Sequence, residues 1–89
     1  MRYIWHEDKR RITLAKRGLD FADAERVFDG PTFTFEDDRC DYGERRWVTL
    51  GLLRDKVVVL VHTEAEDEIR IISMREAEKD ERLLFFSNL

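Results

Sequence analysis

The sequence predicts an α+β domain in which helices cover one face of an antiparallel sheet. Two apolar runs, at 57–61 and 69–73, are rich in Val and Ile, and an acidic bend separates them. Such runs are typical of strands buried on at least one face, and their short link predicts a hairpin. Apolar residues recur at helical spacing early in the chain, and good helix formers follow the second run. These patterns predict that both element types are present.

The first third of the chain predicts a short strand followed by two helices. Residues 2–5 are apolar and aromatic, which indicates a first strand. The segment 7–17 has acids in its first turn and bases in its last turn, with Gly18 as the C-terminal cap, so its charges complement a helix dipole. Asp20 is a good N-cap for a second helix, which the Gly-Pro pair at 30–31 ends.

Four consecutive strands then predict an antiparallel meander. The segment 32–35 alternates Thr and Phe, as a half-buried strand does, and a polar loop at 36–43 follows it. A strand at 46–53 turns through two residues into 57–63, and 69–73 comes last. The predicted order is therefore β-α-α-β-β-β-β-α, a two-layer arrangement.

The last predicted element is a helix that starts directly after the final strand. Ser73 is predicted as its N-cap, and Glu76, three residues later, completes the spacing of a capping box. The residues predicted to pack this helix against the sheet are Ala77, Leu83, Leu84 and Phe86.

Composition limits the classes of function. The 89 residues predict one domain, 1–89, and the net charge of −4 argues against a protein that coats nucleic acid. Residues 1–18 carry six basic and two acidic side chains, whereas residues 19–89 carry ten basic and eighteen acidic ones. A local anion site therefore fits the first segment, and a basic partner fits the remainder. Without an apolar run long enough for a bilayer, we expect no membrane association and a cytoplasmic location.

The side chains that bind metals or react as nucleophiles are few and widely spaced. Cys40 lies in a polar stretch with no histidine nearby, so an exposed or half-packed thiol is expected there. Acidic residues of the loop at 37–44 resemble a metal site in composition but lack the spacing of a calcium loop. We therefore expect neither a metal site nor a cofactor.

Two groups of basic residues are suited to phosphate. Arg70, Ser73 and Arg75 offer two guanidinium groups and a hydroxyl, although strand alternation predicts Arg70 and Ser73 on opposite faces. Lys9, Lys16 and Arg17 with Arg2 form a basic face on the first helix. Each group has an ordinary alternative, which is a set of surface charges that water or nearby acids satisfy.

The two histidines, His6 and His62, are isolated in the sequence. His62 is predicted to face the same way as Val58 and Leu60, where packing is the common role of a histidine. A titratable imidazole at either position also suits general acid or base chemistry.

A series of short motifs follows in a fixed order and spacing along the chain. They are Trp5-x3-Lys9, Lys16-x-Gly18, Asp20-Phe-Ala-Asp-Ala24, Val27-Phe-Asp-Gly30, Glu36-Asp-Asp-Arg39, Asp41-Tyr-Gly-Glu44, Leu50-Gly51 and Ile69-Arg-Ile-Ile-Ser-Met-Arg75-x-Ala77. Jointly they resemble the BrnT toxins of bacterial type II toxin–antitoxin modules. The resemblance extends from Tyr3 to about Arg82.

The resemblance implies a RelE-like α+β ribonuclease that is active without a metal and arrests growth by cutting RNA. It also implies a BrnA-type antitoxin that binds the toxin in a hetero-oligomer, with operator DNA bound only through the antitoxin. On this hypothesis Arg70 and Arg75 stabilise charge, and Glu44 or His62 transfers a proton. The residues expected to bind substrate are Lys9, Lys16, Arg17 and Ser73.

A second hypothesis is a RelE-like domain that has lost catalysis and acts as a non-enzymatic interaction or regulatory partner. It is motivated by three departures from the family pattern. His6 follows Trp5 where the family usually has Asp, Thr13 stands where it often has Asn, and Arg17 stands where it has His.

Overall fold

Five strands form a single mixed sheet in the computed structural model, which describes residues 1–39 and 41–89. The strands are β1 (Arg2–Trp5), β2 (Thr32–Glu36), β3 (Trp47–Leu53), β4 (Lys56–Ala65) and β5 (Glu68–Glu76). The helices are α1 (Glu7–Arg17), α2 (Ala24–Asp29) and α3 (Lys79–Ser87), and a 3-10 turn at Phe21–Asp23 precedes α2. The predicted α+β class is confirmed. The thiol expected at Cys40 lies outside the described residues.

The sheet has the spatial order β1-β5-β4-β3-β2. Strands β2 to β5 pair with their sequence neighbours in antiparallel fashion, as the short links predicted. The prediction of an entirely antiparallel sheet is wrong, because β1 pairs with β5 in parallel, from Arg2 opposite Glu68 to Trp5 opposite Ile71. Short links constrain only strands that follow one another. Since most of the chain separates β1 from β5, no hairpin sets their relative direction.

The cap at Gly18 forms as the sequence predicted, whereas Asp20 caps the 3-10 turn before α2 and not α2 itself. Gly18 adopts a left-handed conformation with φ 68°, and its N–H donates to the Leu14 carbonyl at the end of α1. The Asp20 carboxylate accepts the N–H of Ala22 at 2.9 Å and two hydrogen bonds from the guanidinium of Arg10 on α1. These contacts set the turn between α1 and α2.

Helices cover both faces of the sheet, so the prediction that they cover one face is wrong. We call the face under α2 the closed face. Its core residues are Leu19, Phe21, Ala24, Val27, Leu53, Val58, Leu60, Ile69, Ile71 and Met74. A Cβ on Gly51 of β3 would lie 2.5 Å from Val27 Cγ1, which shows how closely α2 approaches this face.

We call the opposite face the open face, because α3 covers only part of it. The covered part consists of Val48, Leu50, Val57, Val59, Ala77 and Phe85. Neighbouring residues of β4, such as Val58 and Val59, belong to different cores because successive strand side chains point to opposite faces. In the described residues, no helix is long and apolar enough to cross a membrane.

The last helix starts later than the sequence predicted. Ser73 is not an N-cap, because it lies inside β5, whose pairing with β4 continues to Glu76 opposite Val58. Glu78 is the N-cap of α3 and forms a capping box with Glu81. The packing prediction was also wrong for three helix residues, since Phe85 is buried while Leu83, Leu84 and Phe86 are exposed. Ala77 is buried as predicted, but it precedes the helix.

Candidate active site along α1 and β5

A bulge in β5 decides which side chains reach the open face. Val61 lies opposite Ser73, whereas the next residue, His62, lies opposite Ile71, so Ile72 is an extra residue on β5. The extra residue reverses the alternation of side chains along the strand.

The bulge brings three predicted site residues to one face. Arg70 lies opposite Thr63, Ser73 opposite Val61, and Arg75 opposite Val59. Their partners on β4 are two residues apart and share a face, so Arg70, Ser73 and Arg75 share it as well. The prediction that Arg70 and Ser73 lie on opposite faces is therefore wrong.

Glu44 joins two arginines at one end of this row. Its Oε2 accepts hydrogen bonds from Arg70 Nη2 at 2.6 Å and from Arg46 Nε at 3.2 Å. Desolvation acts in the opposite direction, but the hydrogen bonds from Arg46 and Arg70 lower the pKa of Glu44. The guanidinium of Arg46 stacks 4.0 Å from the centre of the Tyr42 ring. Glu44 is thus an ionised carboxylate held between two cations.

A cleft of about 320 Å³ opens beside Arg70, and we call it the first cleft. It lies where β1 passes into α1, and its polar lining consists of His6, Lys9, Arg46 and Arg70. The structure therefore brings Lys9 of the first helix to the same cleft as Arg70. Trp5 and the isoleucines at positions 4, 71 and 72 form the apolar part of the lining.

Arg75 lies at the other end of the row. Its Nη1 and Nη2 donate to the two carboxylate oxygens of Glu81 at 2.8 and 2.7 Å. The hydrogen bonds that Arg75 donates to Glu81 raise the pKa of Arg75 and keep the guanidinium charged. This pair ties β5 to the first turn of α3.

A second cleft, of about 360 Å³, lies between Arg75 and α1. Its polar lining consists of Thr13, Lys16, Arg17, Ser73 and Arg75. The structure thus places the predicted substrate-binding residues Lys16, Arg17 and Ser73 in one cleft with Arg75. No acidic side chain lines either the first or the second cleft among the described residues.

The α1 cations that line the two clefts differ from those of β5 in their pairing. Within the described part of the chain, Lys9, Lys16 and Arg17 have no carboxylate within 4.0 Å, whereas Arg70 and Arg75 each have one. The partners of Arg70 and Arg75 on β4 are four residues apart, which separates the two arginine backbones by roughly 13 Å. The two clefts are therefore separate from each other along α1, and each is lined by cations.

His62 does not lie with these residues. It is fully buried on the closed face, where Nε2 is 2.7 Å from the Thr49 hydroxyl and the ring packs edge-on against Phe28. Burial lowers the pKa of His62 to about 4, so the imidazole is neutral near neutral pH. The prediction that it faces the same way as Val58 and Leu60 is confirmed.

The loop before β3 is held by the buried carboxylate of Asp37, which in the sequence was considered only as one of the acids that resemble a metal site. Asp37 accepts two hydrogen bonds from Arg39, at 2.7 and 2.8 Å, and one from the Tyr42 hydroxyl at 3.2 Å. The Arg39 guanidinium lowers the pKa of Asp37 to about 2. Asp37 thereby helps to fix the loop that carries Glu44 and Arg46.

Sequence reasoning also left Arg46 without a role. The signal available was the basic pair at 45–46 directly after an acidic loop, but its meaning depends on contacts with Glu44 and Tyr42 that only the fold provides. In the described residues, no group of three or more His, Cys, Asp or Glu side chains is placed to hold a metal ion.

Comparison with known proteins gives a match to one family model over residues 5–81. The family is described as the ribonuclease toxin, BrnT, of type II toxin-antitoxin systems. No curated protein matches the chain. The matched span includes α1, β5 and all charged residues that line the two clefts.

Proposed function

This chain belongs to the BrnT family of ribonuclease toxins of type II toxin–antitoxin systems, and from that premise we propose that it is a metal-independent endoribonuclease with a RelE-like fold. In this proposal it cuts RNA in the cytoplasm and thereby inhibits translation and growth. One observation supports it most strongly, namely that cations of α1 and β5 line common clefts beside an ionised carboxylate.

The first cleft is the proposed site of chemistry. The 2′-hydroxyl of the ribose attacks the adjacent phosphorus, and the Glu44 carboxylate accepts the hydroxyl proton. Arg70 donates to the phosphate oxygens as negative charge develops on them, because Nη2 already lies against Glu44 and the guanidinium has further N–H groups free to donate. The products are a 2′,3′-cyclic phosphate and a 5′-hydroxyl.

The second cleft is the proposed site for a neighbouring phosphate. Arg75 and Ser73 donate hydrogen bonds from β5, and Lys16 and Arg17 attract the backbone from α1. In the first cleft, Lys9 of α1 attracts the RNA backbone in the same way. Because Lys9, Lys16 and Arg17 have no carboxylate within 4.0 Å among the described residues, a phosphate does not have to displace an acid to meet them.

The proposed partner is a BrnA-type antitoxin that forms a hetero-oligomer with the toxin and alone brings operator DNA to the complex. An antitoxin is implied by the type II toxin–antitoxin family. The acidic surplus of residues 19–89 supports a basic partner, and the exposed Leu83, Leu84 and Phe86 of α3 offer apolar surface for contact.

Expression in cells tests the proposal. The chain is induced alone and together with the antitoxin encoded beside it, and growth, soluble protein and total RNA are followed. We expect arrest with loss of RNA, and relief by the antitoxin. Normal growth and intact RNA at confirmed soluble expression would contradict the toxin function and favour the alternative, a non-enzymatic partner that still binds the antitoxin.

Cleavage by the purified protein tests the chemistry. Single-stranded RNA is incubated with the protein in the presence and absence of EDTA, and the new ends are identified. We expect 2′,3′-cyclic phosphate ends at equal rates under both conditions. Loss of cleavage in EDTA, or ends with a 5′-phosphate, would contradict the proposed mechanism.

A further inference from the structure

The proposed reaction requires an acid as well as a base. When the bond between phosphorus and the 5′-oxygen breaks, the electron pair of that bond remains on the oxygen, which needs a proton to leave as a hydroxyl. Glu44 is unsuited to supply it, since its pKa is lowered and its carboxylate accepts hydrogen bonds from Arg46 and Arg70. The guanidinium group of an arginine does not release a proton near neutral pH, so it is unsuited as well.

His6 is the imidazole in the first cleft. It lines that cleft together with Arg70, whereas the other histidine of the chain, His62, is buried on the closed face. His6 occupies the N-cap position of α1, but its side chain makes no capping hydrogen bond. The ring is therefore available to a ligand in the cleft.

The backbone around His6 is fixed on both sides. Trp5 before it is paired with Ile71 of β5, and α1 begins directly after it at Glu7. The His6 carbonyl also accepts the N–H of Arg10 in the first turn of the helix. Such a junction between two regular elements holds a side chain at a constant place relative to Arg70.

We propose that His6 is the general acid of the cleavage reaction, an inference that rests on the proposed ribonuclease function. The imidazolium of His6 gives its proton to the 5′-oxygen as the bond from that oxygen to phosphorus breaks. Glu44 takes the proton of the 2′-hydroxyl as the bond from the 2′-oxygen to phosphorus forms. After the reaction His6 has lost one proton and Glu44 has gained one, and exchange with solvent restores both groups.

The charges that surround His6 come from three elements. Lys9, Arg46 and Arg70 share its cleft, while Glu7 and Asp8 follow it in the first turn of α1. Glu7 is itself paired with Arg10 at 2.6 Å. A bound phosphodiester would therefore lie among these three cations, next to the His6 ring.

Two substrates and two variants test the assignment. RNA is compared with a nucleoside 3′-aryl phosphate, whose phenolate leaves without a proton, and His6→Asn is compared with Glu44→Gln. We expect His6→Asn to lose about 10² to 10⁴-fold in cleavage of RNA and far less with the aryl ester. Glu44→Gln, which lacks the base, should be slow with both. His6→Gln serves as a second variant if His6→Asn is poorly folded.

The pH dependence of the cleavage rate distinguishes a proton donor from a residue that has only a structural role. The rate of RNA cleavage by the parent should fall on the alkaline side of its optimum, and His6→Asn should lack this limb. Equal rates of the parent and His6→Asn on RNA would overturn the assignment, as would an equal loss with both substrates. A parent protein that cleaves neither substrate would contradict the ribonuclease function itself, which is a different result.

NMR tests contact with the ligand independently of turnover. The chain has two histidines, so their ring signals are readily distinguished, and His62 serves as an internal control. A non-cleavable DNA analogue of the RNA should shift the signal of His6 and leave that of His62 unchanged. An unchanged His6 signal at saturation would overturn the proposal.

Discussion

Polar side chains on the two faces of the sheet differ in their burial and in their partners. On the closed face, His62 and Thr49 are completely buried and bonded to each other. On the open face, Arg70 and Arg75 remain partly exposed, and each is paired with a carboxylate. Burial lowers the pKa of His62 and keeps it neutral, whereas the ion pair with Glu81 raises the pKa of Arg75 and keeps it charged.

The difference shows that strand position alone does not make a residue catalytic. His62 and Arg70 lie close together across the β4–β5 pair, yet they face opposite sides of the sheet. A general acid or base needs access to substrate, which the buried His62 lacks. Its hydrogen bond with Thr49 instead satisfies two polar groups inside the core. The open face provides both charge and access.

Replacing Arg70 should have the largest effect. We expect Arg70→Ala to lower the rate of RNA cleavage by about 10² to 10³-fold, since it removes a donor to the developing charge. Its ion pair with Glu44 is partly exposed, so the loss of this pair should change the stability of the fold little. Arg70→Lys is the matched control, because it keeps the charge but not the planar donor geometry. Unchanged cleavage by Arg70→Ala would remove the arginine from the site.

The closed face should respond to pH through stability. The pKa of His62 is about 4 in the folded protein and about 6.5 in an unfolded chain, so the unfolded state binds more protons between these values. Stability should therefore be constant above about pH 6.5 and fall by about 3 kcal/mol as the pH drops toward 4. Denaturant unfolding at several pH values measures this loss. His62→Gln is the control, and an equally steep loss in that variant would assign the effect to other groups.

Releasing Arg75 from its partner should have a smaller effect. Glu81→Gln removes the carboxylate that pairs with Arg75 and leaves the guanidinium free toward the second cleft. We expect a lower KM for RNA and a loss of stability of about 1 kcal/mol or less, because the pair is partly exposed. Steady-state kinetics with unfolding curves measures both. An increased KM would show that Glu81 holds Arg75 in its binding position.

Single cations of α1 should have the smallest effect. We expect Lys16→Ala to raise KM modestly, to leave kcat unchanged, and to reduce the slope of log affinity against log salt by about 0.7, the value for one contact to a single strand. Lys79→Ala, which changes a charge on α3, is the control. A fall in kcat without a change in the salt slope would place Lys16 in the chemistry instead.

Local sequence signals were sufficient for most elements of the fold. Gly18 and Asp20 act at the ends of helices through their own backbone and side-chain bonds, so their positions were predictable. The capping box of α3 was also encoded, at Glu78 and Glu81, but Ser73 and Glu76 offered the same spacing at the end of the predicted strand. Pairing with β4 decided between the two, and pairing is not a local property.

The site depends on features that no local pattern contains. The bulge at Ile72 places Arg70 and Arg75 on one face, and it exists because of the register between β4 and β5. The parallel pairing of β1 with β5 brings His6 and Lys9 to Arg70. The sequence therefore supplied the cations but not their grouping into two clefts, nor the burial of His62.

We expect the open face, and not the closed face, to carry out RNA cleavage. The most direct test compares the Arg70→Ala, Arg75→Ala double variant with His62→Gln in two measurements, the rate of RNA cleavage and the free energy of unfolding. We predict that the double variant loses cleavage by at least about 10²-fold while it stays folded. His62→Gln should lose stability and, when folded, cleave at the parental rate. A folded double variant that cleaves RNA like the parent would contradict the assignment of RNA cleavage to the open face.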